Sequence, residues 1–286
     1  NDSRSSRRRR KRQMVIKEAL MMGSSLLAKV SDTPSLDSKI LLEKACNCDR
    51  LFLLRNRDDE LTEESLQLYR DYLERRKKLE PIAYIINEKE FMGLSFYVDQ
   101  NVLIPRPDTE ILAELAISCF HGKVLDIGTG SGALAVSIAK HGTDVSVDAC
   151  DISIKALDIA RKNAASNCVP VSFFLCDILS DKLLGKYNAI VSNPPYIRSD
   201  VVLTLDKNVK DFEPRLALDG GNDGLIFYRT ITKKAHEALS DSGILAFEIG
   251  YDQANEVSKI MKPLFSDIKV LKDLSGNDRV VTGIKK

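Results

Sequence analysis

No stretch of this 286-residue chain is apolar over the roughly 18 to 20 residues that a bilayer-spanning helix needs, and no charged start, apolar stretch and small-residue cleavage site marks a signal peptide. The six cysteines, Cys46, Cys48, Cys119, Cys150, Cys168 and Cys176, form no CxxC pair and have no histidine at metal-ligand spacing. The pattern argues against a disulfide framework and a structural metal, and all six are expected to be reduced thiols. Cys150 and Cys176 sit in strand-like runs, where cysteine acts as a small hydrophobe. The three histidines, His121, His141 and His236, are scattered near predicted element ends and are assigned neither catalysis nor metal. A cytoplasmic protein with no membrane segment and no metal is the expectation.

What is present suits a soluble protein with a real core. A hydrophobic content of 44% and this length accommodate one large domain and one small one. The net charge is +1, but its distribution is uneven: residues 1–13 hold seven Lys or Arg against Asp2, leaving 35 bases against 40 acids in the rest. The body is therefore mildly acidic. The block from Ser5 to Arg12 reads either as a nucleic-acid arm or as an extension upstream of a natural start at Met14, and it is expected to be disordered. Nothing reads as a coiled coil or a long exposed apolar face, so a monomer is expected.

Four segments follow from the patterning: the basic extension 1–13, a helical domain 14–80, a β-hairpin linker 81–105 and a larger domain 106–286. In the helical segment, Thr33 and Pro34 mark a helix start, with Leu36, Ile40, Leu41 and Ala45 on one face. A later helix starts at Thr62, carries Leu66, Tyr69 and Leu73 on one stripe, and ends in Arg75-Arg76-Lys77-Lys78. That basic end reads as a solvated complement to the helix dipole or as a docking patch. Pro81 breaks the helix, and residues 82–104 turn strand-like around Gly93. The loop Ile104-Pro105-Arg106-Pro107-Asp108-Thr109-Glu110 then enters a helix that Asp108 or Thr109 could cap.

From Lys123 onward strands and helices alternate, with strands expected near 123–127, 145–150, 171–176, 187–192, 243–249, 267–271 and 279–284. This is an α/β pattern with a mostly parallel sheet. Ligands of such sheets bind beyond the carboxyl ends of the strands, which is where the informative residues fall. The first strand runs into Gly128-Thr129-Gly130-Ser131-Gly132, the second ends at Asp151, the third at Cys176-Asp177-Ile178 and the fourth at Asn193-Pro194-Pro195-Tyr196. Glycines let a ligand approach the backbone, and the helix start beyond them offers free N–H groups. Asp151 is placed to hold ribose hydroxyls, and Asp177 with Ile178 to meet an adenine ring. The two prolines stiffen a loop in which Asn193 offers an amide and Tyr196 a ring, a combination that suits a planar NH2-bearing group. Taken singly, each acid reads equally as a helix cap, and the proline loop as an ordinary turn.

The series Asp126-Ile127-Gly128-Thr129-Gly130-Ser131-Gly132, Asp151, Asp177 and Asn193-Pro194-Pro195-Tyr196 resembles the class I S-adenosylmethionine-dependent methyltransferases that act on planar nitrogen. The resemblance is nearest to the release-factor glutamine methyltransferases, the PrmC/HemK family. It extends to Glu90-Phe91-Met92-Gly93-Leu94, the Pro-Arg-Pro-Asp-Thr-Glu loop, Phe212-Glu213-Pro214, Gly220-Gly221-Asn222-Asp223-Gly224-Leu225 and Gly276-Asn277-Asp278-Arg279, but not to residues 1–13. It implies a Rossmann-like seven-stranded sheet beside a helical N-terminal domain that docks the substrate. It also implies S-adenosylmethionine bound by Asp126, Gly128 to Gly132, Asp151, Asp177, Ile178 and Asn193. The implied substrate is the glutamine of a release factor's Gly-Gly-Gln loop, held by Asn193, Pro194, Pro195, Tyr196 and Phe91, with Asn193, Pro194 and Tyr196 serving the reaction. Arg106 and Glu213 would shape the rim, and no strong general base is evident. The rival reading is an amino methyltransferase of nucleic-acid bases gripping a flipped base; the acidic body and the lack of a base-reading domain argue against it.

Overall fold

In the computed structural model, residues 13–286 are described, and they divide into two compact units at Ile86 and Asn87. The expectation of disorder for residues 1–13 lies, but for Gln13, outside the described residues.

The first unit is helical: α1 (Ile16–Leu27), α2 (Pro34–Cys46), α3 (Arg50–Arg55), α4 (Glu63–Lys77) and α5 (Ile82–Ile86). Thr62 caps α4 by accepting from the Ser65 N–H at 3.1 Å, and Leu66, Tyr69 and Leu73 form its buried stripe. The Tyr69 hydroxyl bonds Ser38 at 2.7 Å and the Ala19 carbonyl. It lies where a side chain at Gly23 would begin, since a Cβ there would fall 1.8 Å from it. Glycine inside α1, ordinarily a cost to a helix, is required by this close crossing. The buried face of α2 differs from the sequence expectation. Leu36 is exposed, and Asp37, Ser38, Leu41, Leu42 and Ala45 face inward. Polar Asp37 is admitted because Arg76 meets it at 2.8 Å. Arg75 binds Glu80 and the carbonyls of Tyr84 and Ile85. Both arginines of the basic α4 end thus have partners inside this unit, while Lys77 and Lys78 beside them are exposed.

Residues 82–86, expected to be strand-like, form α5 instead. The Pro81 carbonyl accepts from Tyr84 and Ile85, and Arg75 satisfies carbonyls that a short helix leaves free.

The second unit opens with a hairpin of three-residue strands, β1 (Lys89–Phe91) and β2 (Leu94–Phe96). A tight turn at Pro107–Thr109 then leads to α6 (Glu110–Cys119), β3 (Gly122–Ile127), α7 (Ala133–His141), β4 (Val145–Asp151), α8 (Ile154–Ser166), β5 (Val171–Leu175) and β6 (Tyr187–Ser192). The short helices α9 (Ser199–Val202) and α10 (Lys207–Lys210) precede α11 (Ile226–Ala238), β7 (Leu239–Glu248), α12 (Ala254–Met261), β8 (Phe265–Lys272) and β9 (Asp278–Lys285). The seven-stranded sheet has the order β5-β4-β3-β6-β7-β9-β8, with β9 alone antiparallel to its neighbours.

Period-two alternation sends each strand's apolar residues to both faces. Leu125, Ile127, Ile190, Leu245 and Phe247 pack with α11 and α12, while Val124, Ala189, Val191 and Ala246 pack with α6 and α7. The chain reverses its direction of travel across the sheet between β3 and β6, which opens a crevice at their carboxyl ends. Among the described residues no helix is long and apolar enough to cross a membrane, and all six cysteines are free.

Candidate active site

Parallel register brings the chemistry-bearing loops to one edge. Ile127 pairs with Cys150 on one side and Ser192 on the other, so β3, β4 and β6 end together. The Ser192 hydroxyl donates to the Ile127 carbonyl at 2.7 Å and ties two of those ends. A cleft of about 220 Å³ lies beyond them, lined by Gly128, Gly130, Asp151, Asp177, Ile178, Asn193, Pro194 and Pro195 among others. A smaller pocket adjoins it and takes in Thr129, Ser131, Arg106 and Thr109, with Asn193 bordering both.

The glycine loop leaves β3 with its first two N–H groups, from Gly128 and Thr129, on the Cys150 carbonyl. Gly130 has φ +56°, and a Cβ there would meet nothing within 4 Å. It borders both pockets, which leaves room for a ligand to approach the backbone. Asp151 braces this loop: one carboxylate oxygen accepts from Gly130 N–H at 2.9 Å, the other from Ser153 N–H at 2.9 Å. Burial pushes its carboxyl upward against those bonds. Asp177 accepts from the Leu179 N–H and the Ser180 hydroxyl, so it shapes its own turn while lining the cleft. Glycine backbone, the Asp151 carboxylate and an apolar wall with Ile178 fit an adenosine-bearing cofactor.

Asn193 is held from behind. Its Nδ2 donates to the Thr109 hydroxyl at 3.2 Å, and the buried Glu248 carboxylate lies beside both side chains. With the NH2 group so occupied, Oδ1 is the acceptor that remains for a ligand. Behind the proline pair, Gln253 donates to the Tyr196 carbonyl at 3.1 Å. The Gly220 and Gly224 backbones come so close to Pro195 and Tyr196 that a Cβ on either would collide. The Gly220-to-Gly224 stretch is therefore a buttress for the loop.

Four of the residues singled out in the sequence for cofactor or substrate line neither pocket. Phe91 is 1% exposed, packed edge-to-face on Phe96 beneath α6 and α7. Its hairpin is instead tethered through the Met92 N–H to the Glu110 carboxylate at 2.9 Å. Tyr196 packs against the core beneath the loop, where burial pushes its hydroxyl up to about 12. Asp126 is 1% exposed below the glycine loop, accepting from the Thr129 hydroxyl at 2.7 Å; burial pushes it up to about 7. Gly132 starts α7 against Ala160. Arg106 and Glu213 do pair, as an ion pair with a buried carboxylate: Glu213 is 5% exposed and Pro214 beyond it lines the cleft.

Residues 18–86 match the PrmC N-terminal domain, and residues 107–210 match the methyltransferase small domain. A release factor glutamine methyltransferase of Clostridium acetobutylicum is 44% identical over 282 residues, covering 95% of this chain and 99% of its own. The chain belongs to the release factor glutamine methyltransferases. Another member of that family, from Flavobacterium psychrophilum, is 40% identical over 94% of this chain and 98% of its own. The fold is also that of a solved methyltransferase from Pyrococcus furiosus, with a TM-score of 0.51 at 21% identity over 68% of this chain and 89% of that one.

In this member of the family, Glu248 and the active-site contact of Thr109 are what the sequence left unread. Glu248 carries a faint signal, an acid closing the apolar run Leu245-Ala246-Phe247 at a strand's carboxyl end. Thr109 reads as a helix cap, yet it makes no capping bond to α6 and turns to Asn193 instead.

Proposed function

We infer that this enzyme methylates the side-chain amide nitrogen of the glutamine in the Gly-Gly-Gln loop of a peptide chain release factor, using S-adenosylmethionine. The relatives' shared name supports the substrate. The observation that carries the reaction type is Asn193, an amide oxygen presented at the cleft by an NH2 group already committed to Thr109.

Bound in the cleft, S-adenosylmethionine supplies an electrophilic sulfonium methyl. Gly128, Thr129, Gly130 and Ser131 would surround it, with Asp151 on the ribose hydroxyls and Asp177 and Ile178 at the adenine. The glutamine amide is a weak nucleophile because its lone pair is delocalised, so orientation is the main contribution the protein can make. Asn193 Oδ1 and the Pro194 carbonyl would accept the two amide hydrogens and turn the nitrogen toward the methyl. Pro195 walls the cleft beside them. Tyr196, Asp126 and Gly132 serve these groups from beneath, by holding the two loops, and Phe91 by packing the hairpin. The helical unit is assigned to docking the release factor, supported by exposed Leu51, Phe52 and Leu54 on α3. A substrate of the translation apparatus supports a cytoplasmic location for the enzyme.

The test is incubation with S-adenosylmethionine and either a purified release factor or mixed DNA and RNA, with the methyl located by peptide and nucleoside mass spectrometry. One methyl on the Gly-Gly-Gln glutamine is expected; a methylated base would overturn the reading.

A further inference from the structure

Glu248 closes β7 at 2% exposure, and its Oε2 is a buried oxygen without a hydrogen-bond partner. Burying a carboxylate is costly unless it is paired, and the nearby guanidinium of Arg279 is ion-paired to Asp273 at 3.0 Å and Asp108 at 3.2 Å instead. The side chains beside its carboxylate are those of Thr109, from the turn before α6, and Asn193, from the loop after β6. Thr109 in turn accepts from Asn193 Nδ2. Side chains from three separate elements thus meet behind one amide, and the unpartnered Glu248 oxygen is there to take its NH2.

A primary amide has two nearly isosteric orientations, and only its partners select one. Flipped, Asn193 would present its NH2 to the substrate's own NH2, donor against donor. An ionised carboxylate can only accept, so it holds the Asn193 NH2 inward; a neutral carboxyl or a glutamine also offers a donor and tolerates the flipped amide. We propose that Glu248, with Thr109, is a positioning residue that sets the orientation of the Asn193 amide and so presents Oδ1 to the substrate amide. The inference rests on Asn193 as the receiver of that amide.

Ionisation of Glu248 then becomes a condition for turnover. Burial pushes its carboxyl up to about 7. The other charged or titratable groups around it are Arg279 of β9, Asp108 of the turn, Tyr196 of the loop and Tyr228 of α11, whose hydroxyl donates to the Glu248 carbonyl at 3.0 Å. Burial drives both tyrosines upward, out of the range where Glu248 titrates.

The experiment compares wild type, Glu248→Gln and Thr109→Val on a purified release factor. In Glu248→Gln, kcat is expected to fall roughly tenfold or more, while KM for the release factor and Kd for S-adenosylmethionine stay within about threefold. The rise of wild-type kcat with pH around neutrality should flatten in that variant, and Thr109→Val should lower kcat while keeping the rise. A second readout needs no substrate. In the proton–nitrogen spectrum of the free protein, the Asn193 side-chain NH2 signals, assigned by their loss in Asn193→Ala, should move with pH in wild type and stay still in Glu248→Gln. An unchanged kcat and pH profile in Glu248→Gln, or Asn193 signals that ignore pH in wild type, would overturn the proposal. Should Glu248→Gln fail to fold, Thr109→Val and the wild-type titration decide. Absence of glutamine methylation by wild type would sink the substrate reading alone, because the spectrum still reports on Asn193.

Discussion

The Nδ2 of Asn193 lies 3.2 Å from the Thr109 hydroxyl and joins the loop after β6 to the turn before α6, 84 residues apart in the chain. The contact separates two jobs within one loop. The back of the Asn193 amide is structural and its front is free for a ligand, so removing the side chain should damage the reaction more than the cofactor site.

Asn193→Ala is therefore expected to lower kcat by roughly 10²- to 10³-fold, the usual loss when one oriented hydrogen-bonding group is removed from a reacting centre. Affinity for S-adenosylmethionine should change little, because the glycine loop, Asp151 and Asp177 keep their contacts. Isothermal titration calorimetry beside single-turnover kinetics checks this; equal losses in both would end the proposed division of labour.

Asp151→Ala should do the reverse. It removes the acceptor for Gly130 N–H and Ser153 N–H as well as the proposed ribose contact. Losing charge-assisted bonds of this kind, each worth about 1.5–3 kcal/mol, weakens cofactor binding on the order of tenfold or more. Activity at saturating cofactor should recover much of the wild-type rate, and calorimetric affinity equal to wild type would refute the assignment.

The sheet and the loops at its edge were legible in the sequence because both depend on local pattern. Apolar runs of strand length flanked by Gly, Asp and Asn-Pro-Pro-Tyr mark strand ends whatever the partners. The misread positions depend on contacts distant in sequence. Asp37 and Ser38 are inside α2's face only because Arg76 and Tyr69 of α4 supply partners. Phe91 lies in a three-residue strand, too short for alternation to say which face it presents, and the core took it. Glu248 looks like any acid ending a strand until Thr109, more than a hundred residues earlier, is brought beside it.

Asp126 predicts a pH dependence of stability. Burial raises its folded-state carboxyl from 3.8 to about 7, with the Asp151 charge pushing the same way. The unfolded chain therefore gives up this proton at lower pH than the folded one. The cost to folding is absent below about pH 4, grows through the interval up to 7, and is full above it. Asp126→Asn removes the ionisation, so its melting temperature should gain on wild type between pH 5 and pH 8. Scanning calorimetry of both proteins across that range is the check, and two parallel curves would show that Asp126 does not titrate there.

Two glycines of one loop should fail differently when changed to alanine. Both have positive φ, +56° at Gly130 and +82° at Gly132, so each alanine carries backbone strain of about 1 kcal/mol or more. At Gly130 the new Cβ meets nothing within 4 Å and stands beside the space proposed for the cofactor. At Gly132 it would come within 3.1 Å of the Ala160 Cβ and 3.2 Å of its Cα, on the neighbouring helix α8. Backbone cannot swing aside, so α7 and α8 must separate, and close-packed interiors resist that. Gly130→Ala should lose cofactor affinity with a modest drop in melting temperature, while Gly132→Ala should lose the larger share of stability. Melting curves and calorimetric titrations on the pair distinguish the roles, and a Gly130→Ala protein that binds S-adenosylmethionine as tightly as wild type would remove the glycine loop from the binding surface.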